Sequence, residues 1–421
     1  MEKQRVFVTG AGVVSAAGTG KQDFWSGLLA PAPAAPQAER RLEGDARPCR
    51  CATVDGFDVE EYLETPKAYL DRASELAFAG ASLALEDADL DRNALAGDER
   101  VGLMLGSAYG NQDTMALFFG DVLAKGPRFA KPFLFPHTYA NTSISLLAME
   151  YGIIGPHLHF ASGSIAGGDA LLAAYDAIRG GQADLVLAGG FEALSDTWLQ
   201  HLAASHRLCH DRPCAPFDTE RSGLMAGEGC AILILESAAH AAARGVTALG
   251  ELRGAAAFSG PAAAEAPDEY GAVLFQAMTR AVAQAGLAPD DVDWICALSN
   301  GSANEDRGEM LALQQWARQT TRATPISSLQ SRTGETFGAG SALQTAAALG
   351  ALQSGTAPGT AHLENSGADP EGPDLHLLSG RGLQADMRNV LVNSGDPGGA
   401  ALCLVLARAP QHADQGKETE R

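Results

Sequence analysis

Seven cysteines have the side chains best suited to metal binding or nucleophilic attack: Cys49, Cys51, Cys209, Cys214, Cys230, Cys296 and Cys403. A thiolate binds metals and attacks carbonyls. Their number is odd and their spacing irregular, so neither a disulfide framework nor a zinc pattern emerges. Cys49-x-Cys51 and the Cys209/Cys214 pair could hold a metal, but no His–Cys constellation supports it. They read as reduced thiols of a cytoplasmic protein, with no metal and no organic cofactor implied. Charged side chains are the next candidates. Asp218 and Arg221 in PFDTERSG read as a structural ion pair, and Gly227-Glu228-Gly229 as a scaffold turn. Acidic residues outnumber basic ones by 51 to 30, a formal charge of −21. That balance argues against a basic nucleic-acid face and reads as solubility.

The elements that position such groups follow from periodicity. A chain of 421 residues is too long for one small core. Its 46% apolar and 19% charged residues are an ordinary globular balance. Lys3 and Arg5 precede VFVTGAGVVSAAG, which loosely imitates a leader. Its β-branched residues come first and its glycines follow, so it reads as a buried strand entering a glycine turn. No apolar run approaches the ~20 residues of a membrane span. Residues 31–48 are rich in Pro and charge and are expected to form a surface loop. Helical spacing marks Leu70–Ala88, and Val101–Gly106 reads as a buried strand. A short apolar stretch, Leu158–Ala161, precedes the apolar helix Gly168–Arg179. Ala183–Gly189 and Cys230–Glu236 are further buried strands. A second half repeats the logic: helix Ala272–Ala285, strand Val292–Ser299, helices Glu309–Ala317 and Gly340–Leu352, strands Asn389–Asn393 and Ala401–Ala407. Buried strands alternating with helices predict an α/β fold of parallel sheets covered on both faces. The expected boundaries are 1–245 and 246–410, with a polar, disordered tail at 411–421.

Six stretches, in order along nearly the whole chain, resemble the β-ketoacyl-acyl-carrier-protein synthases. They are RVFVTGAGVVSAAG (5–18), PHTYANTSISLLAMEYGIIGP (136–156), ADLVLAGGFEAL (183–194), PFDTERSGLMAGEG (216–229), SSLQSRTGETFGAGS (327–341) and NSGDPGG (393–399). The resemblance implies a thiolase-like, five-layer αβαβα fold built from two similar halves.

Active members of that family carry a Cys at the N-terminus of a buried helix, where the dipole and nearby histidines favour the thiolate. Two His and a Lys handle the malonyl extender. Counting back from ADLVLAGG puts Ser164 at the Cys position. Asn300-Gly301-Ser302 stands for a His-Gly-Thr stretch, Glu335 stands at the second His, and Gln330 at the Lys. A serine hydroxyl needs a base within hydrogen-bond reach. A helix dipole worth at most ~2 kcal/mol does not ionise an alcohol near neutral pH. Glu335 could act as a base if burial raised its pKa, but its charge opposes an enolate. The glycine-rich loop also departs: Gly395, Asp396 and Pro397 replace the aromatic residues of active members, and Pro397 has no N–H to offer an oxyanion.

These losses resemble the chain-length factors, the inactive halves of ketosynthase heterodimers in type II polyketide and polyene synthesis. The resemblance implies a subunit that pairs with an active ketosynthase, stabilises it and shapes the tunnel holding the acyl or polyene chain. Acyl carrier protein would engage indirectly, because an acidic chain is a poor dock for an acidic carrier. Tyr109 sits where family members line the tunnel, and reads either as a determinant of chain length or as an interface aromatic. Phe133, Leu134 and Phe135 fall in a segment reaching across the family's dimer interface, as dimer packing with secondary tunnel roles. His137, His157 and His159 lie near the pocket segment, where one could replace the missing base. The rival reading is an acyltransferase, hydrolase or malonyl decarboxylase using Ser164 as nucleophile, against a small residue filling a vacated pocket. Glu335 likewise reads as an acid–base group or as a helix-cap or salt-bridged carboxylate. A third reading is a homodimeric acyl-binding protein.

Overall fold

A computed structural model describes residues 3–31, 37–42, 48–210, 212–263, 265–366 and 374–410. The opening sequence VFVTGAGVVS forms a ten-residue strand, β1 (Val6–Ser15), in which every residue is buried. Its side chains alternate between two cores: Val6, Val8 and Val13 face one cluster and Val14 another. A strand apolar on both faces must be covered on both. Gly12 permits one cover to come close, since a Cβ there would lie 1.9 Å from the Gly80 carbonyl oxygen on helix α1 (Arg72–Asp87).

Four more strands complete the first half: β2 (Val101–Gly106), β3 (His157–Phe160), β4 (Leu185–Glu192) and β5 (Gly229–Ser237). Their spatial order is β1-β5-β4-β2-β3. The second half has β6 (Gly250–Ser259), β7 (Trp294–Ala297), β8 (Pro325–Ser328), β9 (Asn389–Gly395) and β10 (Ala400–Ala407). Their order, β6-β10-β9-β7-β8, is the same path repeated. The halves join where Val6–Val8 pairs antiparallel with Gly250–Leu252.

Helices α2 (Ala166–Arg179) and α5 (Gly340–Ser354) lie between the two sheets and share one core with both. Helix α5 is buried almost all round, as its GSALQTAAALGAL sequence demands. Helix α1 and Thr142–Tyr151 cover the outer face of the first sheet. Helices α3 (Pro267–Gln284) and α4 (Ala303–Ala317) cover the second. The result is the thiolase-like αβαβα stack.

Several expectations need correction. Neither sheet is purely parallel: β1–β5 and β5–β4 pair antiparallel, as do β6–β10 and β10–β9, while the outer strands pair parallel. Burial on both faces erases the alternation that would have signalled the antiparallel junctions. Within the expected loop at 31–48, Gln37–Arg40 is a strand paired antiparallel with Cys49–Ala52. Residues 32–36 and 43–47 lie outside the described residues, as does the expected tail at 411–421. Helix α3 starts at Pro267 rather than Ala272, with Asp268 and Glu269 in its first turn, where proline and acids are favoured. Helix α4 starts at Ala303, six residues before Glu309. All seven cysteines are buried. No helix among the described residues is long and apolar enough to cross a membrane.

Candidate functional site

Ser164 sits in the turn Gly163–Ile165, directly ahead of helix α2. That places it at the positive end of a helix of 14 residues buried between two sheets. Its backbone N–H donates to Asp396 Oδ2 at 2.9 Å. Asp396 comes from the NSGDPGG loop, which is the hairpin tip joining β9 to β10. The two stretches, 232 residues apart in sequence, meet at this point.

Of the positions expected to match the family's two His and its Lys, the structure joins Asn300 and Glu335, while Gln330 bonds within its own turn. The Asn300 Nδ2 group donates to Glu335 Oε2 at 2.9 Å and to Glu305 Oε2 at 3.0 Å. Asn300 Oδ1 accepts the Ser302 N–H at 3.0 Å. The amide's two donors and its acceptor are therefore all engaged in holding their own loop. Glu335 Oε1 accepts the Phe337 N–H at 2.9 Å, capping the turn Phe337–Ala339 that leads into α5. Burial, with the nearby charge of Glu305, pushes Glu335 above the usual carboxylate range, against the pull of Asn300. Glu305 in turn pairs with Arg207. Gln330 folds back on its own turn, its Oε1 accepting from Ser328 Oγ at 2.7 Å and from the Leu329 N–H at 3.1 Å.

Buried carboxylates that sequence reasoning passed over hold this centre in place. Glu192, at the end of β4, accepts from Ala108 N–H at 2.6 Å, Ser107 Oγ at 3.1 Å, Gly338 N–H at 3.2 Å and Tyr109 N–H at 3.3 Å. It ties the turn after β2 to the turn before α5. Glu309 accepts from Ser299 Oγ and N–H, Leu298 N–H and Asn393 Nδ2. Asp306 accepts from Phe217, Asn300 and Gly301 N–H groups. The available signal was an acid inside otherwise apolar or glycine-rich strands and at helix starts, since such an acid needs several donors.

Asp306, not Asp218, is the acid facing Arg221, at 3.6 Å. The Asp218 carboxylate instead accepts three backbone N–H groups, from Glu220, Glu364 and Asn365. Spacing of three residues suggested a pair, but the turn aims the two side chains apart. Glu228 of the scaffold turn binds Arg72 and the Val54 N–H.

Tyr109 stacks on Trp198 with ring centroids 3.8 Å apart and meets Phe337 edge-on at 5.4 Å. Burial, with the nearby charges of Glu192, Asp396 and Glu335, pushes its hydroxyl pKa up. Phe133 and Phe135 are exposed, at 60% and 47%, whereas Leu134 is buried within its own chain and does not face outward. His137 lies edge-on to Tyr69. His157 and His159 lie on β3, at the edge of the sheet, and burial lowers the pKa of both.

The buried acids predict a pH dependence. Burial pushes Glu192 and Asp306 up to about 7. A carboxyl whose folded pKa is raised contributes stability that is complete below its unfolded pKa and is lost as pH rises through the folded value. Stability should therefore fall from about pH 4 to about pH 7, by on the order of 3–4 kcal/mol per group. Urea unfolding across that window checks this. Glu192→Gln should shallow the slope, and equal slopes in the two proteins would refute the assignment.

Comparison with known proteins identifies the family. Residues 3–241 match the β-ketoacyl synthase N-terminal domain and residues 249–364 its C-terminal domain. The 3-oxoacyl-[acyl-carrier-protein] synthase 2 of Synechocystis sp. is 30% identical over 416 residues, 97% of this chain and 99% of that protein. The protein of the same name from Coxiella burnetii is also 30% identical over 97% and 99% of the two chains. The solved structure described as the ishigamide ketosynthase/chain length factor superposes with a TM-score of 0.87 at 26% identity, covering 97% of this chain and 100% of that one. With both domains matched and relatives aligned end to end, this chain belongs to the β-ketoacyl synthase family.

Proposed function

We propose that this chain is a non-catalytic, chain-length-factor-like subunit. It pairs with an active ketosynthase and shapes the acyl tunnel in type II polyketide, polyene or fatty-acid-like synthesis. The observation that carries this reading is the Asn300–Glu335 pair. Where an active synthase needs two imidazoles, this chain has an amide and a carboxylate hydrogen-bonded to each other at 2.9 Å. The amide has no proton-accepting nitrogen, and the carboxylate is spent capping a turn. The two positions that would supply imidazoles therefore offer Ser164 no such base.

The pairing surface supports the same reading. Among the described residues, every exposed large apolar side chain falls between Met115 and Leu158. They occupy helix Gln112–Lys125, the segment 127–139, helix Thr142–Tyr151, the link 152–156 and strand β3. On the far side of β3 no strand is paired among the described residues. An apolar face beside an open strand edge calls for a partner. His159, with neither ring nitrogen bonded, lies on that strand. The solved ketosynthase/chain length factor is our reason for taking a ketosynthase as that partner. Phe133 and Phe135 would pack against it, while Tyr109 would limit the tunnel from within this subunit. Carrier protein would dock mainly on the partner.

The relatives named as synthases favour the second reading, an acyl-transferring enzyme using Ser164. Intact-protein mass spectrometry separates the two. The chain is incubated with acyl- and malonyl-carrier protein, with and without co-expressed ketosynthase. The expected result is acyl mass on the ketosynthase alone, gained faster in the presence of this chain. Ser164→Ala should then leave product output within about twofold of the unmodified complex, because a hydroxyl that takes no part in the chemistry stabilises no transition state. Acyl mass on Ser164 would reverse the assignment.

A further inference from the structure

We propose that Asp396 is a built-in occupant of the amide at the head of α2, and that it keeps acyl thioesters out of this subunit, leaving the partner to accept the chain. The proposal rests on the non-catalytic reading above and adds to it the residue that enforces the division of labour.

The local sequence fixes where this carboxylate points. Asp396 is the first residue of the turn between β9 and β10, and Pro397 takes the second position, which its locked φ favours. The Asp396 N–H donates to Ala400 O at 2.9 Å, and Gly399 N–H donates to Asp396 O at 2.9 Å. Its own Oδ1 accepts the Gly398 N–H at 2.7 Å. With one oxygen fixed in its own turn, the other reaches the Ser164 N–H at 2.9 Å. Gly163 makes room for it: its φ is +67°, and a Cβ there would stand 2.1 Å from Asp396 Oδ2. The carboxylate therefore lies against a backbone face that only glycine leaves open.

A buried helix head favours an anion. Here a full negative charge is already seated, tethered by the chain itself. A thioester carbonyl carries only a partial charge before attack and arrives from solution, so it competes with an intramolecular rival. The same charge opposes ionisation of any thiol placed at position 164.

The test uses the full-length chain carrying Ser164→Cys, alone and combined with Asp396→Ala or Asp396→Asn, and octanoyl-coenzyme A as the probe. The introduced thiolate attacks the acyl carbonyl. A carbon–sulfur bond to the chain forms, the bond to coenzyme A breaks, and the leaving thiolate takes a proton from water. Peptide-level mass spectrometry reads the acyl mass at position 164. Iodoacetamide labelling across pH reads the thiol's ionisation. Ser164→Cys/Asp396→Ala should acylate at least tenfold faster than Ser164→Cys, with its labelling profile moved to lower pH. Asp396→Asn keeps a hydrogen-bond acceptor without the charge and should fall between them. If the alanine variant does not fold, the asparagine variant decides alone, by a faster rate or an unchanged one. Equal rates and superimposable profiles, with no acyl mass on the unmodified chain, overturn the Asp396 proposal alone. Acyl mass on Ser164 of the unmodified chain overturns the non-catalytic reading and this proposal together.

Discussion

A chain carrying Leu123→Asp and Met149→Asp should fold normally and lose its partner. Leu123 is 85% exposed and Met149 71% exposed, so neither contributes much to this chain's own core. Both lie on the apolar face between Met115 and Leu158, on separate helices. If that face is the ketosynthase interface, each aspartate must be desolvated on pairing without a matched cation. Truncations at interface centres cost about 2 kcal/mol or more each, and a buried unpaired charge adds to that. At 1.4 kcal/mol per factor of ten, the double variant should bind at least ~10³-fold more weakly. Co-purification with a tagged ketosynthase and sedimentation of the isolated chain measure it. Retained pairing would place the interface elsewhere. A wild-type chain that sediments as a stable dimer by itself would favour the homodimeric reading of the same surface.

The second large effect concerns the centre that displays Asn300. Replacing Glu309 by Ala should destabilise the chain by about 3–5 kcal/mol, a large part of the 5–15 kcal/mol that holds a typical domain together. Glu309 is fully buried, and its two oxygens accept from the Leu298 and Ser299 N–H groups, the Ser299 hydroxyl and Asn393 Nδ2. Removing it leaves these donors unpaired in a place water does not reach. Burial also raises the acid's own pKa, so its donors offset only part of the cost of holding the carboxylate. Glu309→Gln, of the same shape, turns an NH2 towards one of the two donor pairs and should cost about half as much. Urea midpoints rank the three proteins. A neutral Glu309→Ala would mean that the loop from β7 to α4 is held by Asp306 alone.

These two effects were unequally visible in the sequence. The apolar helices and strands were legible because burial on both faces leaves a near-continuous apolar run, as in VGLMLG and CAILILE. That same saturation hid strand direction, because a strand covered on both faces looks alike whether its neighbour runs parallel or antiparallel. The Pro- and charge-rich character of residues 31–48 concealed the strand Gln37–Arg40, whose pairing with Cys49–Ala52 is a long-range event. Leu134 looked like its aromatic neighbours, yet it turns inward while they stand out, which a three-residue stretch in a 3-10 turn decides by geometry.

Residue identity alone determined which functional groups stand at the four positions matched to the family's Cys, His and Lys. Ser164, Asn300, Gln330 and Glu335 lack thiol, imidazole and amine whatever their surroundings. Functional groups are properties of residues, and no fold can turn an amide or a carboxylate into an imidazole. Tertiary structure alone decided what those residues do instead. It set Asn300 against Glu335, aimed Arg221 at Asp306 rather than at Asp218, and brought Asp396 across 232 positions onto the Ser164 N–H. Hydrogen bonds depend on distances of about 3 Å and on direction, and neither can be read from a sequence until the two sheets have closed around their shared helices.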